Sequence, residues 1–180
     1  ARAPDRRTLG WLPLAGAVIG AVVGVAWWGA GRIWPPALAA AVVVAVDLAV
    51  TGMLHLDGLI DSADGVLPHL PRERRLAVMT EPTVGAFGVG AAAAVLLVRF
   101  GAIASLGPDI ALIAGLWAAS RTAMAVTARA LPYAREHGLV TSFRGGDWRA
   151  VALYGAALAL GLAVLGAGTM GRGIAQLLLQ

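Results

Sequence analysis

The chain has 180 residues, 59% of them hydrophobic and 13% charged; a soluble domain carries about a quarter charged residues, so this chain is read in lipid. Cysteine is absent, which excludes disulfides, thiolate nucleophiles and Cys-ligated metal centres. The net charge is +4 and every base is an arginine; on a membrane protein that pattern marks the cytoplasmic side or phosphate binding, and no nucleic-acid partner is expected.

A helix needs about 20 apolar residues to cross the hydrocarbon core. Five stretches qualify, at 9–30, 37–56, 84–106, 110–131 and 149–168, which predicts an all-α, polytopic integral membrane bundle. The chain opens on Ala1 rather than Met and ends in Leu177-Leu178-Leu179-Gln180. It is expected to be one membrane domain over 1–180, cut at both ends, with 171–180 as the start of a sixth span.

In the first span Gly16, Gly20 and Gly24 form a GxxxGxxxG stripe that admits close helix approach, within the chain or between copies in a homo-oligomer. The N-terminus and the second and fourth connections hold most of the arginines, which predicts a cytoplasmic N-terminus with both long connections on the same side.

The end of the second span carries the densest polar cluster, from Thr51 to Gly65. Asp57, Asp61 and Asp64 are spaced i, i+4, i+7, so a continuing helix sets all three on one face, one turn apart. Nothing basic lies among them, and stacked anions repel unless a cation sits between. Carboxylate oxygen is the ligand type Mg²⁺ prefers, alongside substrate phosphate; the alternative is a solvated acidic helix face. His55 lies off the aspartate face, as a base, a substrate contact or a hydrogen-bonded interfacial histidine.

Arg72, Arg74 and Arg75 follow, with Glu81 as a further ligand or base. Arginines beside an acidic metal site suit a diphosphate substrate, and they equally serve as a positive-inside anchor. Arg121 falls midway along the fourth span, where a lone cation is costly and must find an anion. Asp47 in the second span is its economical partner. The fourth connection adds Tyr133, Arg135 and Arg144 as candidate substrate contacts.

These residues resemble cobalamin synthase, the adenosylcobinamide-GDP ribazoletransferase family, whose hallmark is similar to T-G-G-L-H-x-D-G-L-A-D-T-A-D-G. The chain matches at Thr51, Gly52, His55, Asp57, Gly58, Asp61, Asp64 and Gly65, and departs with Met53 for Gly and Ile60 for Ala. The family's R-R-L-x-I-M-K-D-S-R-x-G-x-[FY]-G matches at Arg74, Arg75, Leu76, Met79, Gly85, Phe87 and Gly88, with Thr80-Glu81 replacing Lys-Asp. Its L-P-Y-A-R matches at Leu131 to Arg135, and its G-R-x-x-M is similar to Ser120 to Met124.

The resemblance covers 7–146. It implies a Mg²⁺-dependent transfer in the bacterial cytoplasmic membrane, with the active site facing the cytoplasm. α-Ribazole, or its 5′-phosphate, and adenosylcobinamide-GDP would give adenosylcobalamin, or its phosphate, and GMP. The metal would lie on Asp57, Asp61 and Asp64, with one of these, His55 or Glu81 taking the proton. Arg74, Arg75, Arg121, Tyr133, Arg135 and Arg144 would contact substrate. The alternatives are another intramembrane Mg²⁺-dependent transferase, of the CDP-alcohol phosphotransferase or prenyltransferase type, and an ion-coupled transporter working through Asp47 and Arg121.

Overall fold

The computed structural model describes residues 8–133 and 147–178, with the side chains of the last helix described as far as Gly168. The apolar runs form helices, and no strand occurs among the described residues. A short 3-10 turn, Thr8–Trp11, leads into α1 (Leu12–Ile33); α2 (Pro36–Val50), α3 (Leu54–Val66), α4 (Arg72–Val78), α5 (Ala86–Ser105), α6 (Ile110–Ala130) and α7 (Trp148–Leu178) follow. Among the described residues, four helical stretches are long and apolar enough to cross a membrane, Thr8–Ile33, Ala86–Ser105, Ile110–Ala130 and Trp148–Gly168, and a fifth is counted where the bent pair Pro36–Val50 and Leu54–Val66 is taken as one span. Residues 171–178, expected to open a sixth span, continue α7 instead.

The second expected span is broken rather than continuous. It stops at Val50 rather than running through Leu56, and α3 leaves it at 88°. At 15 residues, α2 is about 22 Å long, short of a hydrocarbon core of about 30 Å. The stop is chemical. Thr51 Oγ1 donates to the Asp47 carbonyl at 2.7 Å. The Gly52 N–H donates to Ala49 and the Met53 N–H to Leu48, at 3.2 and 2.9 Å. Paired bonds of this kind, with a left-handed residue just past the last turn, are a Schellman motif. Gly52 supplies that residue at φ 59°, and Met53 follows it into the left-handed region at φ 57°.

The chain divides into two units, one of Ala1–Trp28 with Pro108–Gln180, the other of Gly29–Gly107. In the second unit, both arms of the bent pair α2 and α3 pack on α5, and α4 packs on α3. Asp47 on α2 is buried and pairs with Arg99 on α5, Oδ2 to Nη2 at 2.8 Å. Gly65 lets α4 and the turn after it approach α3, because a Cβ there would meet Met79 Cγ at 2.6 Å and the Arg75 carbonyl at 3.1 Å.

In the first unit, the glycine stripe of α1 faces α6. A Cβ on Gly16, Gly20 or Gly24 would lie 2.5 Å from the Trp117 carbonyl, 2.7 Å from Ala114 Cα and 2.8 Å from Ile110 Cα respectively. The stripe therefore serves packing within the chain. A second seam of small residues joins α6 to α7. Gly115 meets the Ala159 carbonyl, Gly155 meets Thr122, and Gly166 meets the Leu112 backbone. Asp109 caps α6, its Oδ1 accepting from the Leu112 N–H at 2.8 Å, which satisfies an otherwise orphaned first-turn donor.

Candidate active site

α3 is a continuous helix from Leu54 to Val66 and carries all three aspartates of the cluster. Their surroundings differ. Asp57 is exposed, Asp61 half-buried and Asp64 buried. Asp57 lies in the first turn of α3, where the positive end of the helix dipole favours a carboxylate. His55 is exposed as well and, two residues before Asp57, sits on the opposite side of the helix.

Asp64 turns toward α5. Its Oδ2 accepts from the Gly85 N–H at 2.7 Å and its Oδ1 from the Gly88 N–H at 2.8 Å. Among the described residues, no three His, Asp or Glu side chains converge on a point that would hold a metal ion. Asp57 and Asp61 nevertheless present hard oxygen donors one turn apart on an accessible face. Mg²⁺ is commonly held by one or two carboxylates, with substrate phosphates and water completing the octahedron. The donor set of these two aspartates fits such an ion.

The arginines of the connection are tied into local structure. Arg74 Nη1 and Glu81 Oε1 form an ion pair at 2.7 Å, both side chains well exposed at 57% and 40%. An exposed pair of this kind is worth about 0–1 kcal/mol, so little would be lost if Arg74 exchanged Glu81 for another anion. Arg75 Nε donates to the Leu70 carbonyl at 2.7 Å, fastening the turn between α3 and α4.

The remaining candidates belong to the first unit. Arg121 is buried on α6, its aliphatic stem against Gly16 of α1, and its Nη1 reaches Ser120 Oγ at 3.3 Å. Tyr133 is half-buried just past the end of α6. Arg135 and Arg144 lie outside the described residues.

Sequence reasoning missed three features of the second unit. Arg99 is a partner of Asp47, a role not foreseen because it sits 52 positions away. Thr51-Gly52 is a helix stop, legible in the glycine that follows the last apolar residue of α2. Gly85 and Gly88 bind Asp64, and only the lack of a capping side chain at Gly85 hints at it.

A family model described as cobalamin-5-phosphate synthase matches residues 2–179. The chain belongs to that family. Among named relatives, an adenosylcobinamide-GDP ribazoletransferase of Chlorobium phaeovibrioides is 38% identical over 85% of this chain and 63% of its own. One from Roseiflexus is 35% identical over 90% of this chain and 62% of its own. One from Pseudomonas paraeruginosa is 37% identical over 90% and 71%. The chain thus spans about two thirds of the length of the relatives it matches. No solved structure matches it significantly. Within the cobalamin-5-phosphate synthase family, this chain is a polytopic helical membrane protein whose acidic face lies on α3, beyond a sharp break in the second span.

Proposed function

We infer that this chain catalyses the transfer for which its relatives are named. A ribose hydroxyl of α-ribazole, or of its 5′-phosphate, attacks the cobinamide-linked phosphorus of adenosylcobinamide-GDP. The new P–O bond forms as the phosphoanhydride bond to the guanosine phosphate breaks. GMP leaves, and the product is adenosylcobalamin or its 5′-phosphate. The observation that carries this reading is the family match over residues 2–179, which takes in the aspartate face of α3 and the arginines of α4.

Phosphoryl transfer is mainly positioning and charge neutralisation. Asp57 and Asp61 would hold Mg²⁺; when bound, the ion neutralises the pyrophosphate and the departing GMP oxygen. Arg74 releases Glu81 and turns to a phosphate oxygen. Arg75, already fastened by the Leu70 carbonyl, adds fixed positive charge nearby. The hydroxyl proton goes to an accessible acceptor on α3, Asp57 or His55, or to Glu81. In this reading the protein sits in the bacterial cytoplasmic membrane with α3 and α4 at the cytoplasmic face, where positive-inside bias supports Arg72, Arg74 and Arg75.

Purified protein mixed with adenosylcobinamide-GDP, α-ribazole and Mg²⁺ is expected to release GMP and cobalamin in equal amounts. Chelation should stop the reaction and added Mg²⁺ restore it. Asp57→Ala and Asp61→Ala should each lower kcat at least about a hundredfold. An intact protein that makes no product would overturn the reading; product formation indifferent to chelation would overturn its magnesium arm.

A further inference from the structure

Asp64 shares a helix face with Asp57 and Asp61, but its chemistry is different. It is 8% exposed, and each of its carboxylate oxygens is engaged by a backbone donor of another helix, Gly85 N–H on Oδ2 and Gly88 N–H on Oδ1. Gly85 is the N-cap residue of α5, and Gly88 lies three residues further on. These N–H groups belong to the set that a helix start leaves without intrahelical partners. An N-cap Ser, Thr, Asp or Asn ordinarily serves one of them from its own side chain. Glycine has no side chain to offer, so α5 takes its cap from a carboxylate 21 residues earlier in the chain.

The two glycines are shaped to this carboxylate. A Cβ at position 85 would lie 2.5 Å from Asp64 Oδ1, and one at position 88 would lie 2.5 Å from Oδ2. The carboxylate cannot retreat from such a Cβ without breaking the bonds that hold it. The charge is also compensated where it stands, by two charge-assisted hydrogen bonds and the positive end of α5. It needs no cation to remain buried.

We propose that Asp64 is a positioning residue, holding the aspartate-bearing face of α3 against the start of α5, and that binding a divalent ion on this helix falls to Asp57 and Asp61. The kinetic part of this proposal rests on the transferase reading above; the cap itself is independent of turnover.

The test uses the intact purified protein in detergent, with Mn²⁺ as the paramagnetic stand-in for Mg²⁺. In Asp64→Ala, amide hydrogen exchange at Gly85 and Gly88 is expected to quicken at least about tenfold. The Mn²⁺ dissociation constant should stay within about threefold, since Asp64 would not be a ligand. kcat should fall about tenfold while KM for adenosylcobinamide-GDP holds, because no atom of Asp64 would touch substrate. Asp64→Asn, whose amide oxygen still accepts a hydrogen bond, should recover part of both exchange protection and kcat.

Asp57→Asn should behave oppositely, weakening Mn²⁺ binding at least about tenfold with exchange at α5 unchanged. Gly88→Ala leaves every acid in place and should reproduce the loss of protection with Mn²⁺ binding intact; it also decides the matter if the Asp64 variants fail to fold. Loss of Mn²⁺ binding in Asp64→Asn with unaltered exchange at residues 85 and 88 would overturn the proposal, as would a Gly88→Ala protein with unchanged protection. A parent protein that binds no Mn²⁺ and makes no product would remove the transferase reading and the ligand assignment together. Exchange at Gly85 and Gly88 would then still judge the cap.

Discussion

Arg99 of α5 holds Asp47 of α2 by an ion pair of 2.8 Å, with the aspartate side chain 5% exposed and the arginine 30%. A carboxylate at that depth in an apolar helix is tolerable only with a partner. At 1.5 Å per residue, Arg99 lies about 20 Å along α5 from Ala86. The bent pair therefore grips α5 at two separated points, α2 at Arg99 and α3 at the helix start.

Arg99→Met removes this counter-charge from the buried aspartate and is expected to lower stability by about 2 kcal/mol, less than for a fully buried pair because the arginine is partly exposed. Arg99→Lys, which keeps the charge but loses the planar fork, should retain roughly half of that. Thermal unfolding in detergent measures both. Equal stability for Arg99→Met and the parent would show that the pair contributes nothing.

Met53 occupies a left-handed conformation at φ 57°, the very position at which the chain departs from the glycine of the hallmark it resembles. A non-glycine residue there costs about 1–2 kcal/mol, partly offset by the freedom glycine gains on unfolding. Met53 is more than half exposed, so its side chain contributes little packing. Met53→Gly should therefore raise stability by about 0.5–1 kcal/mol, and Met53→Val should lower it. A less stable glycine variant would contradict this account of the bend.

Two glycines should respond to alanine with opposite sign. Gly20 faces the α6 backbone, with Ala114 Cα 2.7 Å from a notional Cβ, whereas Gly101 on α5 has open space. Gly20→Ala forces α1 and α6 apart and should cost about 1–3 kcal/mol. Gly101→Ala should gain up to about 1 kcal/mol from helix propensity. Urea or thermal titration of the two proteins side by side settles it, and matching signs would refute the packing described for α1.

Arg74 and Glu81 make an exposed pair, so Arg74→Ala should shift stability by no more than about 0.5 kcal/mol. Its effect belongs in substrate affinity, as a rise of roughly five- to tenfold in KM for adenosylcobinamide-GDP with kcat little changed. Glu81→Gln leaves Arg74 unpaired in the free protein and should not raise that KM. A large stability loss in Arg74→Ala with KM unaltered would assign the arginine to the fold alone.

The legibility of the fold follows from what each signal measures. Long apolar runs mark α1, α5, α6 and the membrane-crossing part of α7 within a few residues, because lipid demands both length and continuity. The second span misled for the same reason. Apolar residues continue past Val50, and composition does not register that Thr51, Gly52 and Met53 turn the chain through 88°. The glycine stripe was legible as a close-packing surface, though the sequence left its partner open, and α6 fills that role. At the candidate site, the i, i+4, i+7 spacing put three acids on one helix. Spacing along α3 says nothing about what faces it, so the division between a buried Asp64 and more accessible Asp57 and Asp61 comes from α5.

The Asp47–Arg99 pair also carries a consequence for how the protein is made. Arg99 is synthesised 52 residues after Asp47, and the Gly85 and Gly88 amides 21 and 24 residues after Asp64. A nascent chain that has delivered α2 and α3 to the bilayer thus holds an acid that lacks this counter-charge and a helix that lacks this clasp. The local bonds at Thr51, Gly52 and Met53 set the bend, and both of its arms are clasped when α5 arrives beside them. A ribosome stalled before α5 emerges should leave position 64 open to water-soluble labels, and extension through Ser105 should close it off while position 57 stays accessible.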